Sequence, residues 1–280
     1  MNMNINLSKP TLFVFFCFIH LSAVAFPQHQ PVPGGTAVIE LSSADTPQPK
    51  AFFKKRKVAV HKYDDAWYAL IGLSLNTKPG NHTVNYQFTD NKKYQHSFIV
   101  KDKIYKAQYL TVKNKRKVNP NAQDMKRIVK EREIKNNAKK TWTEKTVSTE
   151  FIRPLNGRIS SIFGLRRFFN QQARRPHSGL DIAAPQGTPI KAIADAQVIE
   201  TGNFFFSGNM IYLDHGQGVI SLYAHLHKIH VKPGQVITQG QIIGEVGETG
   251  RVTGPHLHMS LLLNRNAVDP DHWLPAVKKP

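Results

Sequence analysis

Cysteine is nearly absent from this sequence, with one residue, Cys17, in a chain of 280. It lies in the apolar segment 11–19 and follows Phe16 rather than a small residue, so we expect no lipid-anchored start. A chain without other cysteines has neither a disulfide scaffold nor a thiolate metal site. Any transition-metal site must therefore use histidine and carboxylate ligands.

Long apolar runs are also lacking outside the N-terminus. Residues 1–25 combine Lys9, the apolar segment 11–19 and Ala23-Val-Ala25. These are the charged, apolar and small-residue parts of a secretory signal peptide. The alternative is a transmembrane anchor, which normally needs about 20 apolar residues. We therefore predict an exported protein of the periplasm or cell envelope, or one secreted further, with no membrane span after cleavage.

Acidic residues are scarce, with 19 Asp and Glu against 38 Lys and Arg, which gives a formal charge of +19. Residues 26–150 carry about 24 basic and 11 acidic side chains, whereas residues 151–280 carry about 13 and 8. A basic surface suits any polyanion, and an exported protein meets envelope polymers first. Because no nucleic-acid-binding motif is present, we expect no nucleic-acid partner.

The length suits two domains, and the amino-acid composition changes at two points along the chain. Short β-branched or alternating segments, bounded by turns, predict strands in the first part: 35–41, 57–61, 67–71, 83–88 and 96–100. We assign a small β-sandwich-like domain to residues 26–106 and a basic connector to residues 107–150. Residues 121–138 have sparse apolar residues at helical spacing and predict a helix, the alternative being a disordered basic linker.

Beyond residue 150 the sequence becomes a series of short β-branched segments separated by Gly and Pro turns. This pattern predicts an all-β domain over residues 151–280. The whole chain is thus predicted to be mainly β, with one short helical connector.

Histidine is concentrated in this last part, which holds eight of the 13 in the chain. Read as a strand, the segment from Pro255 onward places His256, His258 and Ser260 on one face and Leu257 and Met259 on the other. A histidine pair projecting from a rigid strand suits a metal site.

A second motif, His177-Ser-Gly-Leu-Asp181, adds an imidazole and a carboxylate four residues apart. Gly179 disfavours a helix there, and the motif alone is weak because Gly and Asp are common in turns. Together with the downstream His-x-His, it offers Zn²⁺ both ligand types that the metal accepts. Three protein ligands and one open position make a catalytic rather than a structural zinc site.

These segments resemble the lysostaphin-type (LytM-like, M23) peptidases. The resemblance covers residues 151–271 and includes residues 174–189, Tyr223-Ala-His-Leu226, Gly254-Pro-His-Leu-His258 and Val268-Asp-Pro270. It implies one zinc ion per chain, held by His177, Asp181 and His258. His225 and His256 are implied to act beside the reacting water, with their separate roles left open.

The resemblance also implies the substrate, namely peptide bonds in the stem or cross-link peptides of bacterial peptidoglycan. We expect a monomer. The N-terminal part resembles, less specifically, β modules that precede such peptidases. It is expected either to add cell-wall affinity or to shield the groove in which the peptidase domain would bind its substrate. Arg174, Arg175 and Asn209 are expected near that groove.

Two other interpretations remain. Some relatives of this fold have lost their metal ligands and activate other wall hydrolases, although the ligand set here is complete. Residues 231–244 also resemble a hairpin of biotinyl or lipoyl carrier domains, but Lys232 stands before the Pro233-Gly234 turn rather than in it.

Overall fold

The computed structural model describes residues 26–90 and 92–276. The predicted signal peptide, residues 1–25, lies outside the described residues. Within the described part, no helix is long and apolar enough to cross a membrane.

The N-terminal part is a six-stranded antiparallel sheet in the order β1-β4-β3-β2-β5-β6. The five strands predicted from sequence are present, and β2 is an additional strand. Edge strands β1 and β6 approach each other, so the sheet curls around a core that includes Ala69, Ile71 and Val84. Its strands are β1 (Thr36–Ser43), β2 (Lys50–Phe53), β3 (Arg56–Tyr63), β4 (Ala66–Gly72), β5 (Gly80–Gln87) and β6 (Lys93–Val100).

The connector contains a strand and two helices: β7 (Ala107–Leu110), α1 (Lys115–Val118) and α2 (Ala122–Ala138). The predicted helix is present as α2. Its first turn is fixed by a capping box, in which the Asn121 side chain accepts from the Asp124 amide and the Asp124 side chain accepts from the Asn121 amide. Such reciprocal bonds satisfy two backbone donors that a helix start otherwise leaves free.

The C-terminal part is built from twelve further strands and a short 3₁₀ helix, Pro270–His272. The strands are β8 (Arg158–Ser161), β9 (Arg166–Phe169), β10 (Gln172–Ala173), β11 (Leu180–Ala183), β12 (Pro189–Lys191), β13 (Ala196–Phe204), β14 (Gly208–Asp214), β15 (Ile220–Ile229), β16 (Val236–Ile237), β17 (Ile242–Val246), β18 (His256–Leu263) and β19 (Asn266–Val268). The prediction of a mainly β chain with a short helical connector is confirmed.

Most of these strands form one antiparallel sheet with the main order β16-β13-β14-β15-β18-β11-β8. Strand β12 pairs with β17, which also pairs with β15, and β19 pairs with β18. Leu257, Met259 and Leu261 of β18 are fully buried in its core, as the predicted alternation requires. The opposite face of β18 carries His256 and His258.

The connector is joined to the C-terminal part through a small second sheet of order β10-β9-β7, in which β7 runs parallel to β9. The N-terminal sheet also packs against the C-terminal part, because Ala59 and Leu70 belong to the same buried cluster as Tyr223 and Met259. The N-terminal sheet thus has a core of its own and also contributes residues to the core of the C-terminal part.

Candidate metal centre

Three side chains converge on one point beside the paired strands β11 and β18 of the large sheet. The distance from His177 Nε2 to Asp181 Oδ1 is 2.9 Å, from His177 Nε2 to His258 Nδ1 is 3.0 Å, and from His258 Nδ1 to Asp181 Oδ1 is 2.7 Å. Strand pairing explains the convergence, since Asp181 of β11 lies directly opposite His258 of β18. Directly paired side chains on one face of a sheet lie close enough to share a ligand.

His177 is held in one orientation and one protonation state. Its Nδ1 lies 2.7 Å from the carbonyl oxygen of Ile162, which can only accept, so Nδ1 carries the proton and Nε2 presents a lone pair to the site. Burial lowers the pKa of His177 to about 4, only partly offset by Asp181, so the ring is neutral at pH 7. A neutral imidazole with its second nitrogen tied to a carbonyl is the usual form of a metal-binding histidine.

Asp181 is buried and charged. Burial acts to raise the pKa of its carboxyl, but the adjacent imidazoles of His177 and His258 outweigh it and hold that pKa well below the usual range. Its second oxygen, Oδ2, accepts a hydrogen bond of 2.6 Å from Arg167. Arg167 therefore leaves Oδ1 facing the two imidazoles.

His258 is positioned by Ser260 and Gly179. Its Nε2 lies 2.9 Å from the Ser260 hydroxyl oxygen, which leaves Nδ1 toward the site. A Cβ atom at Gly179 would lie 2.8 Å from the His258 ring and 2.2 Å from the Met259 carbonyl oxygen. Gly179 is thus the residue that lets the His177–Asp181 segment approach β18 closely.

His225 lies beside this triangle at an irregular point of β15. Pairing with β14 jumps from Ile211↔Tyr223 to Asn209↔Leu226, so that β15 has an extra residue there, and His225 has a φ of 66°. Such a bulge re-aims a side chain, and a positive φ is rare outside Gly, Asn and Asp. The ring centroid of His225 lies 4.9 Å from that of His256 and 6.0 Å from that of His258.

A backbone carbonyl also fixes the tautomer of His225. Its Nδ1 donates to Thr249 O at 2.8 Å, so Nε2 keeps a lone pair. Burial, with smaller contributions from His258 and His256, lowers the pKa of His225 to about 3. The ring is neutral at pH 7 and able to take up a proton.

His256 stands at the start of β18, next to the triangle but outside it. Its Nδ1 donates to Gly254 O at 2.8 Å, and its Nε2 lies 3.9 Å from Asp181 Oδ1. Among the residues that the structure describes, His177, Asp181 and His258 form a group whose ligand atoms could hold one metal ion, and His256 is not part of it. All five residues singled out from the sequence are therefore brought together.

The centre opens into a cleft of about 540 Å³. His177, His225 and His258 line one side of it, and the connector supplies the other side through residues of helix α2 such as Met125, Ile128 and Lys135. The sequence did not indicate that this helix forms a wall of the site. Arg174 and Arg175 line the cleft as well, whereas Asn209 donates to the carbonyl oxygens of Leu226 and His227.

Other histidines of the C-terminal part lie away from the centre. His215 is buried and bonded to Asp195 O and the Ser221 hydroxyl, and burial lowers its pKa to about 4. His227 and His230 are exposed, at and just beyond the end of β15.

Arg167 and Gln108, which orient Asp181, were not singled out from the sequence. Arg167 holds Asp181 and is itself held by Gln108, whose Oε1 accepts from Arg167 Nε at 3.1 Å and from the Ser161 hydroxyl at 3.2 Å. Gln108 lies on β7, in the connector. The one sequence signal for Arg167 is the Arg166-Arg167 pair in a strand pattern, which gives no hint of a buried partner.

A buried His-Asp-His triangle, open to a cleft on an all-β sheet, defines the class of mononuclear metal sites with two imidazoles and one carboxylate. Comparison with known proteins gives the family. Residues 175–270 match the model of peptidase family M23, and residues 29–103 match the model of the M23 N-terminal domain. A solved structure from Pseudomonas aeruginosa, described as a peptidase M23, is 37% identical with a TM-score of 0.73 and covers 87% of this chain and 94% of that one. The chain belongs to peptidase family M23.

Curated relatives match the C-terminal part. The peptidoglycan DD-endopeptidase ShyA of Vibrio cholerae is 45% identical over 113 residues, which are 40% of this chain and 26% of the relative. The DD-carboxypeptidase/endopeptidase Mpg of Neisseria meningitidis has the same identity and the same coverage of both chains. The matched stretch thus spans about a quarter of the length of these relatives.

Proposed function

We propose that this protein is a zinc-dependent endopeptidase that cleaves stem or cross-link peptides of bacterial peptidoglycan. The observation that carries the proposal is the convergence of His177 Nε2, Asp181 Oδ1 and His258 Nδ1 to within 3.0 Å of one another. The substrate is supported by ShyA and Mpg, whose names describe peptidoglycan DD-endopeptidase and DD-carboxypeptidase/endopeptidase activities.

The donor atoms of the triangle fit a divalent metal. Because His177 Nδ1 donates to a carbonyl, its Nε2 has no proton, yet it faces the ionised Asp181 Oδ1 at 2.9 Å. Two lone-pair donors so placed, with a third nitrogen beside them, suit a cation. Two imidazoles and a carboxylate are a ligand set that zinc accepts, and a fourth position stays open for substrate or water. When bound, zinc polarises a carbonyl and lowers the pKa of a bound water to about 7.

His225 and His256 are proposed to handle protons beside the metal. Each donates Nδ1 to a backbone carbonyl, from Thr249 and Gly254, so each can accept or deliver a proton at Nε2. His225 is neutral at pH 7 and therefore presents an unprotonated Nε2 beside the metal centre. Peptide hydrolysis must also deliver a proton to the leaving amine, and a neighbouring histidine can supply it.

We further propose the setting in which the protein acts. Its substrate lies outside the cytoplasm, which agrees with a signal peptide in residues 1–25 and a mature protein of the cell envelope or periplasm. The mature protein would be a monomer with a β domain over 26–106, a connector over 107–150 and a peptidase domain over 151–280.

The test combines metal analysis with wall digestion. Purified full-length mature protein should contain about one zinc per chain and convert cross-linked muropeptides to uncross-linked products that mass spectrometry identifies. A chelator should stop the reaction and added zinc should restore it. Undiminished hydrolysis by metal-free protein, or muropeptides left unchanged by zinc-loaded protein, would contradict the proposal.

A further inference from the structure

The cleft beside the metal centre is lined by charge of one sign. Seven of the residues that line it are lysine or arginine, and among these described lining residues there is no aspartate or glutamate. Two of the seven are engaged by the protein itself, because Arg167 binds Asp181 and Arg174 binds the Val118 carbonyl and Gln172. Five cations remain, and we call them the cationic wall: Arg132, Lys135, Lys139, Arg175 and Arg251.

Three of these cations come from one stripe of helix α2. Arg132, Lys135 and Lys139 are spaced three and four residues apart, so they lie one above another on a single helix face. Ile128 and Met125 continue the same stripe toward the N-terminus of the helix and also line the cleft. The cationic end of this stripe is the end near Arg175. Burial is the main cause that lowers the pKa of Lys135 and Lys139, and the charge of Arg175 lowers both further.

The other two cations come from the side of the metal ligands. Arg175 is two residues before His177 in the chain. The Arg251 guanidinium lies between two aromatic rings, 4.5 Å from the Phe169 centroid and 4.4 Å from the Phe206 centroid. Burial, with the charges of Arg167 and Arg174, lowers the pKa of Arg251 to about 10. It nevertheless remains charged at pH 7, and its Nη1 makes only a long contact of 3.5 Å with the Lys117 carbonyl oxygen.

None of the five has a carboxylate partner within 4.0 Å in residues 26–90 and 92–276. Two other cations of the connector do have carboxylate partners, Arg116 with Asp124 at 2.8 Å and Arg127 with Glu131 at 2.6 Å. Interaction with the helix dipole would account for Lys135 and Lys139, which lie at the C-terminal end of α2, but not for Arg175 and Arg251. Like charges gathered in a partly buried cleft repel one another unless an anion joins them.

We propose that the cationic wall binds free carboxylates of the peptide substrate, so that the enzyme selects acidic peptides over the same peptides with amidated carboxyl groups. This inference rests on the proposed function, because a peptide with its scissile bond at the metal centre must lie along the cleft. Arginine binds carboxylates through paired hydrogen bonds, and lysine binds them as a point charge. The connector would thereby contribute to substrate choice.

The test uses a matched pair of synthetic cross-linked peptides that differ only in having free or amidated side carboxyl groups. Wild-type protein should cleave the free-acid peptide with a KM about tenfold lower than its KM for the amidated peptide. This is the effect expected of one charge-assisted hydrogen bond. Lys135→Gln/Lys139→Gln and Arg175→Gln should each raise the KM for the acid about tenfold and leave the amide unchanged. Lys130→Gln, an exposed residue of α2 outside the cleft, is the control.

Binding of both peptides to zinc-loaded His225→Ala protein, measured by calorimetry, separates this inference from the proposed function. The free-acid peptide should bind tightly, and its binding should weaken when Lys135→Gln/Lys139→Gln is added. This result supports carboxylate binding by the cationic wall even where wild-type protein cleaves neither peptide. Equal KM values for the two peptides in wild-type protein, with equal affinities in the His225→Ala protein, would contradict carboxylate binding by the cationic wall. The proposed peptide hydrolysis would be unaffected by that result.

Discussion

Backbone carbonyls set the chemistry of the individual imidazoles. His177, His225 and His256 each donate Nδ1 to a carbonyl, from Ile162, Thr249 and Gly254. The backbone thus selects the same tautomer three times and leaves Nε2 available at the site. The proposed division between a ligand and a proton carrier rests on position, because His177 Nε2 lies 2.9 Å from Asp181 Oδ1 whereas His256 Nε2 lies 3.9 Å from it.

His225→Ala is expected to keep zinc near one ion per chain while turnover falls about 10²–10⁴-fold, the usual contribution of a general acid or base. His177→Ala should lose the metal instead, because it removes one of three ligands. Metal content and muropeptide hydrolysis measured on the same samples check the difference. His227→Ala, on an exposed position of β15, should change neither. Loss of zinc from His225→Ala with retention in His177→Ala would reverse the assignment.

The sequence pointed to the three residues of the triangle but not to Arg167 and Gln108, which hold Asp181. His177 and Asp181 are four residues apart, and His256 and His258 two apart, so local spacing and strand alternation carry the signal. Arg167 and Gln108 are separated by 59 residues and meet only because β7 joins β9 in parallel. Pairing between distant strands depends on tertiary packing, which a local pattern does not encode.

At the scale of elements, helix α2 is a fixed wall rather than a loose linker. Glu131 is buried, and both of its carboxylate oxygens lie 2.9 Å from the Phe205 amide nitrogen, while Arg127 donates to Oε1 at 2.6 Å. Arg127 also donates to the Asn203 carbonyl at 2.9 Å. The sequence predicted the helix from its spacing, but its apolar residues are too few to reveal a docking face. The helix instead docks through a buried carboxylate.

Glu131→Ala is therefore expected to weaken the attachment of helix α2 to the C-terminal part. It leaves the buried Phe205 amide without an acceptor, at a cost of about 1–3 kcal/mol, which corresponds to a Tm decrease of about 2–4 °C per kcal/mol in a chain of this size. Zinc content should stay the same, and the KM for peptides should rise because the cleft loses its shape. Thermal unfolding and steady-state kinetics provide the measurements. Glu133→Ala, exposed on the same helix, should behave as wild type, and an unchanged Tm in Glu131→Ala would show that the carboxylate does not anchor the helix.

At the scale of the whole molecule, the N-terminal sheet acts as part of the core rather than as a cover over the cleft. In the described part of the chain, the residues that line the cleft begin at Val118, so none comes from that sheet. Ala59 and Leu70 instead pack into the core of the C-terminal part. Groove shielding, if the connector provides any, would come from α2, and cell-wall affinity of the basic N-terminal half stays a prediction.

The packing of Ala59 and Leu70 into the C-terminal core predicts that both β parts unfold together, and Asn264 is the residue that tests it. Asn264 is buried at the turn between β18 and β19, accepts from the Gly72 amide at 2.7 Å and donates to the Gly72 carbonyl at 3.1 Å. In Asn264→Ala the Gly72 carbonyl keeps a donor in Asn266, at 2.8 Å, but the Gly72 amide has none. One unsatisfied buried donor costs about 1–3 kcal/mol.

Calorimetry of wild-type protein should therefore show one transition, and Asn264→Ala should shift that whole transition downward by several degrees, at about 2–4 °C per kcal/mol. Zinc content should not change, because the substitution lies in the turn after β18 and touches none of the three ligands. Asn85→Ala, exposed on β5, is the matched control and should leave the Tm unchanged. Two separate transitions, with only the lower one moved by Asn264→Ala, would mean that the N-terminal sheet and the metal-binding sheet fold as independent units and that their contact adds little to either.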